Sequence, residues 1–359
     1  MTDHVLTVVG ARPQFVKAAP VSRAIARIEN LRETLTHTGQ HYDRAMSGTF
    51  FEELGIPIPK HNLGVGSGTH AYQTGSILMA LEKILEEERP DVVLVYGDTN
   101  STLAAALTAA KLHVPVCHVE AGLRSHNRRM PEETNRVVTD HLSSLLLCPS
   151  DLAAENLKRE GVRQNVHITG DVMYDCLLQS PEAPDIQATL KCLGLDRETE
   201  GFYLATLHRP ENTEFPDRLT SIFEALNELE MPIVIPLHPR TRNALEANDI
   251  TLGSNLHPLD PVPYRTMQAL MRQATTVFTD SGGVQREAFY LQTPCVTLRD
   301  ETEWPETVAI GWNVVTGADK KGILKASRKF RQAPSAWNCP YGDGTAAEEV
   351  ARKIQEYLR

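Results

Sequence analysis

The residues best suited to chemistry in this chain gather behind short apolar runs. Gly10-Ala11-Arg12-Pro13 follows one run, with Lys17 one turn further on. Asp98-Thr99-Asn100 follows a second run and Glu120-Ala121-Gly122 a third. Glu132, Glu133 and Arg136 come soon after, within RMPEETNR. The second half repeats the habit with His208-Arg209-Pro210-Glu211-Asn212, His238-Pro239-Arg240, and Ser281-Gly282-Gly283 ahead of Gln285, Arg286 and Glu287. Asp300, Glu301 and Glu303 close the series. Carboxylates and histidines are the usual proton carriers near neutral pH, and arginine and lysine neutralise phosphate.

Ser281-Gly282-Gly283 is the sharpest phosphate signal. Glycines let a ligand approach the backbone, and a helix N-terminus offers unpaired N–H groups. A tight turn with a helix cap fits the tripeptide equally well. It is neither GxGxxG nor a P-loop, so no nicotinamide fingerprint and no Walker site is present. The other residues have plainer readings too. Asp98 could cap the helix starting at Ser101, Glu120 could pair with Arg124, and His208 could be a hydrogen-bonded buried histidine. Tyr264 and Trp304 suit core or rim packing as well as stacking. There is no HExxH, and His113 and His118 flank a strand turn without ligand spacing, so neither a metal nor a cofactor is expected.

The elements that must position these groups alternate along the chain. HVLTVV (His4 to Val9), DVVLVYG (Asp91 to Gly97) and VPVCHVE read as strands, with KAAPVSRAIARI and STLAAALTAAKL as helices between them. Continuous apolar runs mark parallel strands buried on both faces. The pattern restarts with FYLATL (Phe202 to Leu207), PIVIPL (Pro232 to Leu237), TVFTD (Thr276 to Asp280) and PCVTL (Pro294 to Leu298). In open parallel sheets ligands bind at the carboxyl ends of the strands, where all these polar groups fall. The expected fold is α/β: two doubly wound Rossmann-like domains facing a central cleft, 1–175 and 176–342, with an amphipathic C-terminal helix in 343–359. The boundary falls in a stretch rich in Pro, Asp and Glu between residues 175 and 200.

Composition excludes some roles. A net charge of -10 argues against nucleic acid or an anionic membrane surface as partner. No apolar run approaches the ~20 residues of a bilayer span, and the N-terminus lacks the basic and apolar regions of a signal peptide. A cytoplasmic protein with buried free thiols is expected.

The blocks GARPQFVK, TGQH, VYGDTNSTLAAAL, HVEAGLRS, MPEETNR, LHRPENT, TDSGGVQREA, LRDETEWPETV and YGDG run in order along nearly the whole chain. In them the sequence resembles the non-hydrolysing UDP-N-acetylglucosamine 2-epimerase family. That resemblance implies the two-domain architecture of GT-B glycosyltransferases, with the C-terminal helix crossing back to the first domain. It implies a UDP-sugar substrate, a homodimer, and inversion at C2 by anti elimination of UDP and its re-addition to a 2-acetamidoglucal. By motif, Asp98, Glu120, Glu132 and His208 match acid/base and active-site positions. Arg12, Lys17, Arg136, Ser281 and Glu287 match positions that hold UDP, Ser281 at phosphate and Glu287 at ribose. His238, Tyr264, Gly282 and Gly283 complete the expected substrate-binding set.

Some positions depart from the common pattern. GARPQ stands where GTRPE is usual, Pro210 where Arg is frequent, and Trp304 where TERPE has Arg. Tyr72 replaces an Arg associated with an allosteric UDP-N-acetylglucosamine site, although Gln40 and His41 of that site are present. These departures, with RSHNRRMPEETNR and PLHPRTR, resemble the branch acting on UDP-2,3-diacetamido-2,3-dideoxyglucuronate. Arg128 and Arg129 would suit the carboxylate of such a sugar. The alternatives are a GT-B glycosyltransferase with a UDP-sugar donor and a hydrolysing epimerase.

Overall fold

The computed structural model describes residues 2–40, 55–180, 185–195 and 201–359. His41 lies outside the described residues, as do 181–184 and 196–200 in the expected boundary stretch. The chain divides into two units, Met1–Ser180 with Cys339–Arg359, and Pro181–Asn338.

The first unit is built on strands β1 (Asp3–Val9), β2 (Leu31–His37), β3 (His61–Asn62), β4 (Val92–Tyr96), β5 (Val116–Val119), β6 (Leu145–Cys148) and β7 (Val166–Ile168). All pair in parallel, in the order β3-β2-β1-β4-β5-β6-β7. The order reverses between β1 and β4, and such a switch point opens a crevice at the carboxyl edge of the sheet. Gly10-Ala11, leading into Arg12, and Gly97-Asp98 lie on either side of it. The alanine-rich helix Asn100–Lys111 lies against this sheet, where Ala104, Ala105 and Ala109 share a core with Leu6, Val8, Val93 and Val95. Small side chains let its backbone approach the strands closely.

The second unit has strands β8 (Tyr203–Thr206), β9 (Ile233–Pro236), β10 (Leu256–Leu259), β11 (Thr276–Thr279), β12 (Cys295–Thr297) and β13 (Asn313–Val315). They too are parallel, in the order β10-β9-β8-β11-β12-β13. Its switch point falls between β8 and β11, beside His208 and Ser281. Phe223, Ile233, Ile235, Phe278 and Val296 form the centre of its main core.

Each strand read from an apolar run is present. β2 was not read as a strand, because its inward residues include the buried polar groups Thr34, Thr36 and His37. The helix Val172–Gln179 belongs to the first unit because it holds the returning chain. Asp171 N–H donates to the Tyr341 carbonyl at 2.9 Å. The Asp175 carboxylate accepts from the N–H groups of Ala346 and Ala347 at 3.2 and 2.5 Å. Those two residues begin the C-terminal helix Ala346–Leu358. No helix among the described residues is long and apolar enough to cross a membrane.

Candidate active site

In the first unit the acidic and cationic candidates meet in pairs. Glu120 follows β5 in a left-handed conformation, φ 75°. Such a backbone is uncommon for a residue with a side chain and recurs at functional sites. Its carboxylate forms a buried ion pair with Lys17, from the second turn of the helix Arg12–Ile25. Asp98 sits in the turn after β4 and pairs with the buried guanidinium of Arg136, which also contacts Glu133 at 3.2 Å. Asn135 donates to the Asp98 carbonyl at 2.9 Å. Glu132 is half-buried in the first turn of the helix Pro131–Leu142. Arg12, at the start of its own helix, is exposed.

Lys17 and Arg136, which the resemblance matches to UDP, thus face the two strand-end carboxylates. A buried carboxylate needs such a partner to remain charged. Arg128 lines a surface groove of about 640 Å³ with Thr134, Val137 and His141. At helical spacing that groove lies on the opposite face of the Pro131–Leu142 helix from Asn135 and Arg136, which meet Asp98.

In the second unit Asp280 organises the candidates. It is fully buried at the end of β11. Its carboxylate accepts the backbone N–H groups of His208 and Arg209 at 3.0–3.2 Å and Asn212 Nδ2 at 3.2 Å. His208 Nδ1 lies 3.3 Å from Asp280 Oδ1, with the imidazole 39% exposed. Burial, helped by Arg209, His238 and Arg240, lowers the His208 pKa against the pull of Asp280. His238 stacks obliquely 6.0 Å away and is lowered by burial and by Arg240. It also caps its helix, accepting the Arg240 N–H at 3.1 Å.

Ser281 is the N-cap of the helix Gly282–Tyr290. A methyl group on Gly282 would lie 3.6 Å from Glu303 Oε2, and one on Gly283 3.9 Å from Ser281 Oγ. These are ordinary contacts, and neither glycine has a positive φ. Packing therefore does not demand glycine at either position. Glu287, buried on the same helix, has Oε1 4.0 Å from the Gly283 methyl position. Tyr264 is 5% exposed, at the start of the helix Tyr264–Gln273. Trp304 is buried, with the Arg286 guanidinium 4.1 Å above its ring, so packing under a cation is its place.

Several organising residues escaped the sequence reading. Gln14, His118, Asn135, Asp140 and Asp280 are buried polar groups that hold the loops bearing the candidates. The only signal for Asp280 was an acidic residue closing an apolar strand. His118, set aside as a metal ligand, lies fully buried inside β5.

The family model for UDP-N-acetylglucosamine 2-epimerase matches residues 23–355. The chain is 48% identical, over 99% of both sequences, to a UDP-N-acetylglucosamine 2-epimerase homolog of Methanococcus maripaludis. It is equally similar, again over 99% of both, to the UDP-2,3-diacetamido-2,3-dideoxy-D-glucuronate 2-epimerase of Pseudomonas aeruginosa. The Methanocaldococcus jannaschii UDP-GlcNAc 2-epimerase, solved with UDP-GlcNAc and UDP, superposes with a TM-score of 0.88 at 40% identity over 99% of both chains. A likeness of fold alone, TM-score 0.52 at 14% identity, extends to the calicheamicin glycosyltransferase CalG4 over 99% of this chain and 94% of that one.

Proposed function

We propose a substrate and a division of labour for this chain, which belongs to the UDP-N-acetylglucosamine 2-epimerase family and is a UDP-sugar 2-epimerase of GT-B-like fold. The substrate is UDP-2,3-diacetamido-2,3-dideoxyglucuronate. The sequence departures shared with that branch support this choice over plain UDP-N-acetylglucosamine, since the 48% identity to the Pseudomonas enzyme is equalled by a UDP-N-acetylglucosamine 2-epimerase homolog. The enzyme works as a cytoplasmic homodimer.

The observation that carries the mechanism is the pair of ion pairs at adjacent strand ends, Lys17–Glu120 and Arg136–Asp98. Removing the weakly acidic C2 proton needs a positioned base, and returning it on the other face needs a second group. Positioned acid/base catalysis contributes about 10²–10⁴-fold. Asp98, Glu120 and Glu132 serve these transfers, with His208 as the neutral partner at the sugar. As the C1–O bond breaks, charge develops on UDP. Lys17 and Arg136 then have a second anion to neutralise, Arg12 joins them at the diphosphate, and the N–H groups at Ser281–Gly283 face the phosphates. Glu287 takes the ribose, and His238 and Tyr264 flank the nucleotide. UDP then adds back to the glycal.

The test is incubation in D2O with each UDP-sugar separately and no acceptor. Deuterium should enter C2 and the gluco and manno forms should equilibrate as intact UDP-sugars, faster for the diacetamido uronate. Release of free sugar would identify a hydrolysing enzyme, and no exchange on either substrate would reject the reading. Asp98→Asn and Glu120→Gln should each lose at least ~10²-fold in exchange while still binding UDP. Near-normal exchange in both would overturn the role assignment.

A further inference from the structure

Three successive carbonyls leading into Asp98 are each taken by a buried side chain from a different element. The Tyr96 carbonyl accepts Gln14 Nε2 at 3.0 Å and Thr102 Oγ1 at 2.7 Å. The Gly97 carbonyl accepts His118 Nε2 at 2.8 Å. The Asp98 carbonyl accepts Asn135 Nδ2 at 2.9 Å. His118 also reaches the other way. Its Nδ1 lies 2.7 Å from Asp140 Oδ1, and both side chains are fully buried. Asp140 in turn accepts the Gly122 N–H at 3.1 Å, two residues past Glu120, and Arg124 at 2.7 Å. Arg124 is forked onto Glu160 at 2.6 and 2.7 Å. Burial works against the charge on Asp140, but His118 and Arg124 prevail and hold its pKa below the usual range.

One imidazole–carboxylate pair therefore ties the turn before Asp98 to the turn after Glu120. Its carboxylate comes from the helix that also carries Glu132 and Arg136. Both ring nitrogens of His118 lie within hydrogen-bond distance of a buried acceptor. An unsatisfied group at this depth is costly, which makes the arrangement rigid. Resting on the epimerase reading above, we propose that His118 and Asp140 are positioning residues. They set the separation of the two carboxylates that serve C2 without touching the substrate themselves. Misplacing a reacting group by about 1 Å costs on the order of 10²-fold in rate.

The test uses the full chain with the substrate on which the wild type exchanges C2 deuterium. His118→Asn keeps a donor toward Asp140 and loses the one toward Gly97. Its kcat should fall about 10²-fold with KM within about threefold, and UDP should still bind. His118→Gln, which can reach the Gly97 carbonyl but no longer donates to Asp140, breaks the same tie at its other end and should lose kcat by a similar factor with KM kept. Asp140→Asn, which keeps one oxygen toward His118 and Arg124, is the variant to read if a His118 variant does not fold, and it should show the same fall in kcat with KM kept. A kcat within about threefold of wild type in His118→Asn, His118→Gln or Asp140→Asn would overturn the proposal, as would a rise in KM that accounts for the loss. Failure of the wild type itself to exchange would sink the epimerase reading instead, so the two failures are distinct.

Discussion

Gln14 uses every hydrogen-bonding capacity of its amide. Its oxygen accepts the Gly10 and Ala11 N–H groups at 2.8 and 3.0 Å, and its nitrogen donates to the Tyr96 carbonyl and Thr102 hydroxyl, each at 3.0 Å. The sequence showed Gln14 only as a departure from GTRPE. The structure shows a clamp between the loop of Arg12 and the strand end of Asp98. A glutamate keeps the two acceptors but loses both donors, and it sets a carboxylate oxygen against a carbonyl. Gln14→Glu should therefore cost about 1–3 kcal/mol, read as a fall of several degrees in Tm. An unchanged Tm would mean that the clamp is replaceable. Asp98, Glu120 and His208 were legible because their types and strand-end positions are visible in one dimension. Gln14, His118 and Asp280 were not, because their meaning lies in partners up to 88 residues away.

At the scale of the element, the start of the Gly282–Tyr290 helix joins a local rule to a ligand. Ser281 does what an N-cap does, accepting the Val284 N–H at 3.5 Å, and the phosphate reading needs the glycines behind it. Gly282→Ala and Gly283→Ala meet no packing obstacle. In a compatible conformation such changes stabilise by about 0.4–1 kcal/mol through the unfolded chain. Each variant should thus keep or slightly raise Tm while binding UDP at least tenfold more weakly by calorimetric titration. Wild-type affinity in both would return the tripeptide to a plain capped turn. The strands were legible where apolar runs were continuous, as in β4 (VVLVY) and β8 (YLAT), which are wholly buried. β7 was not, because none of its residues is fully buried.

At the scale of the whole molecule, the chain returns to its first unit through Asp175. Burial raises this carboxyl to about 6 from an ordinary 3.8. Asp171 and Asp343 add to the rise, and the Ala347 and Ala346 N–H groups oppose it. A raised carboxyl means that the folded state holds the proton more tightly. Its contribution to stability is therefore complete below pH 3.8 and is lost as pH rises through about 6. Asp175→Asn removes the titration. The Tm difference between variant and wild type should shift in favour of the variant from pH 4 to pH 7.5, and a difference independent of pH would contradict the linkage.

Residue types and apolar periodicity, which are local properties, were enough to establish an α/β chain of two nucleotide-fold halves with acids, histidines and arginines at strand ends. Strand order is not local. That β1 lies beside β4, and β8 beside β11, follows from how the crossover helices bury the sheet, and only this order sets the chain after β1 beside the turn of Asp98, and the chain after β8 beside that after β11. The same packing set Lys17 on Glu120, Arg136 on Asp98 and His118 between two turns. Such pairings are chosen by the need of each buried polar group for a partner in three dimensions.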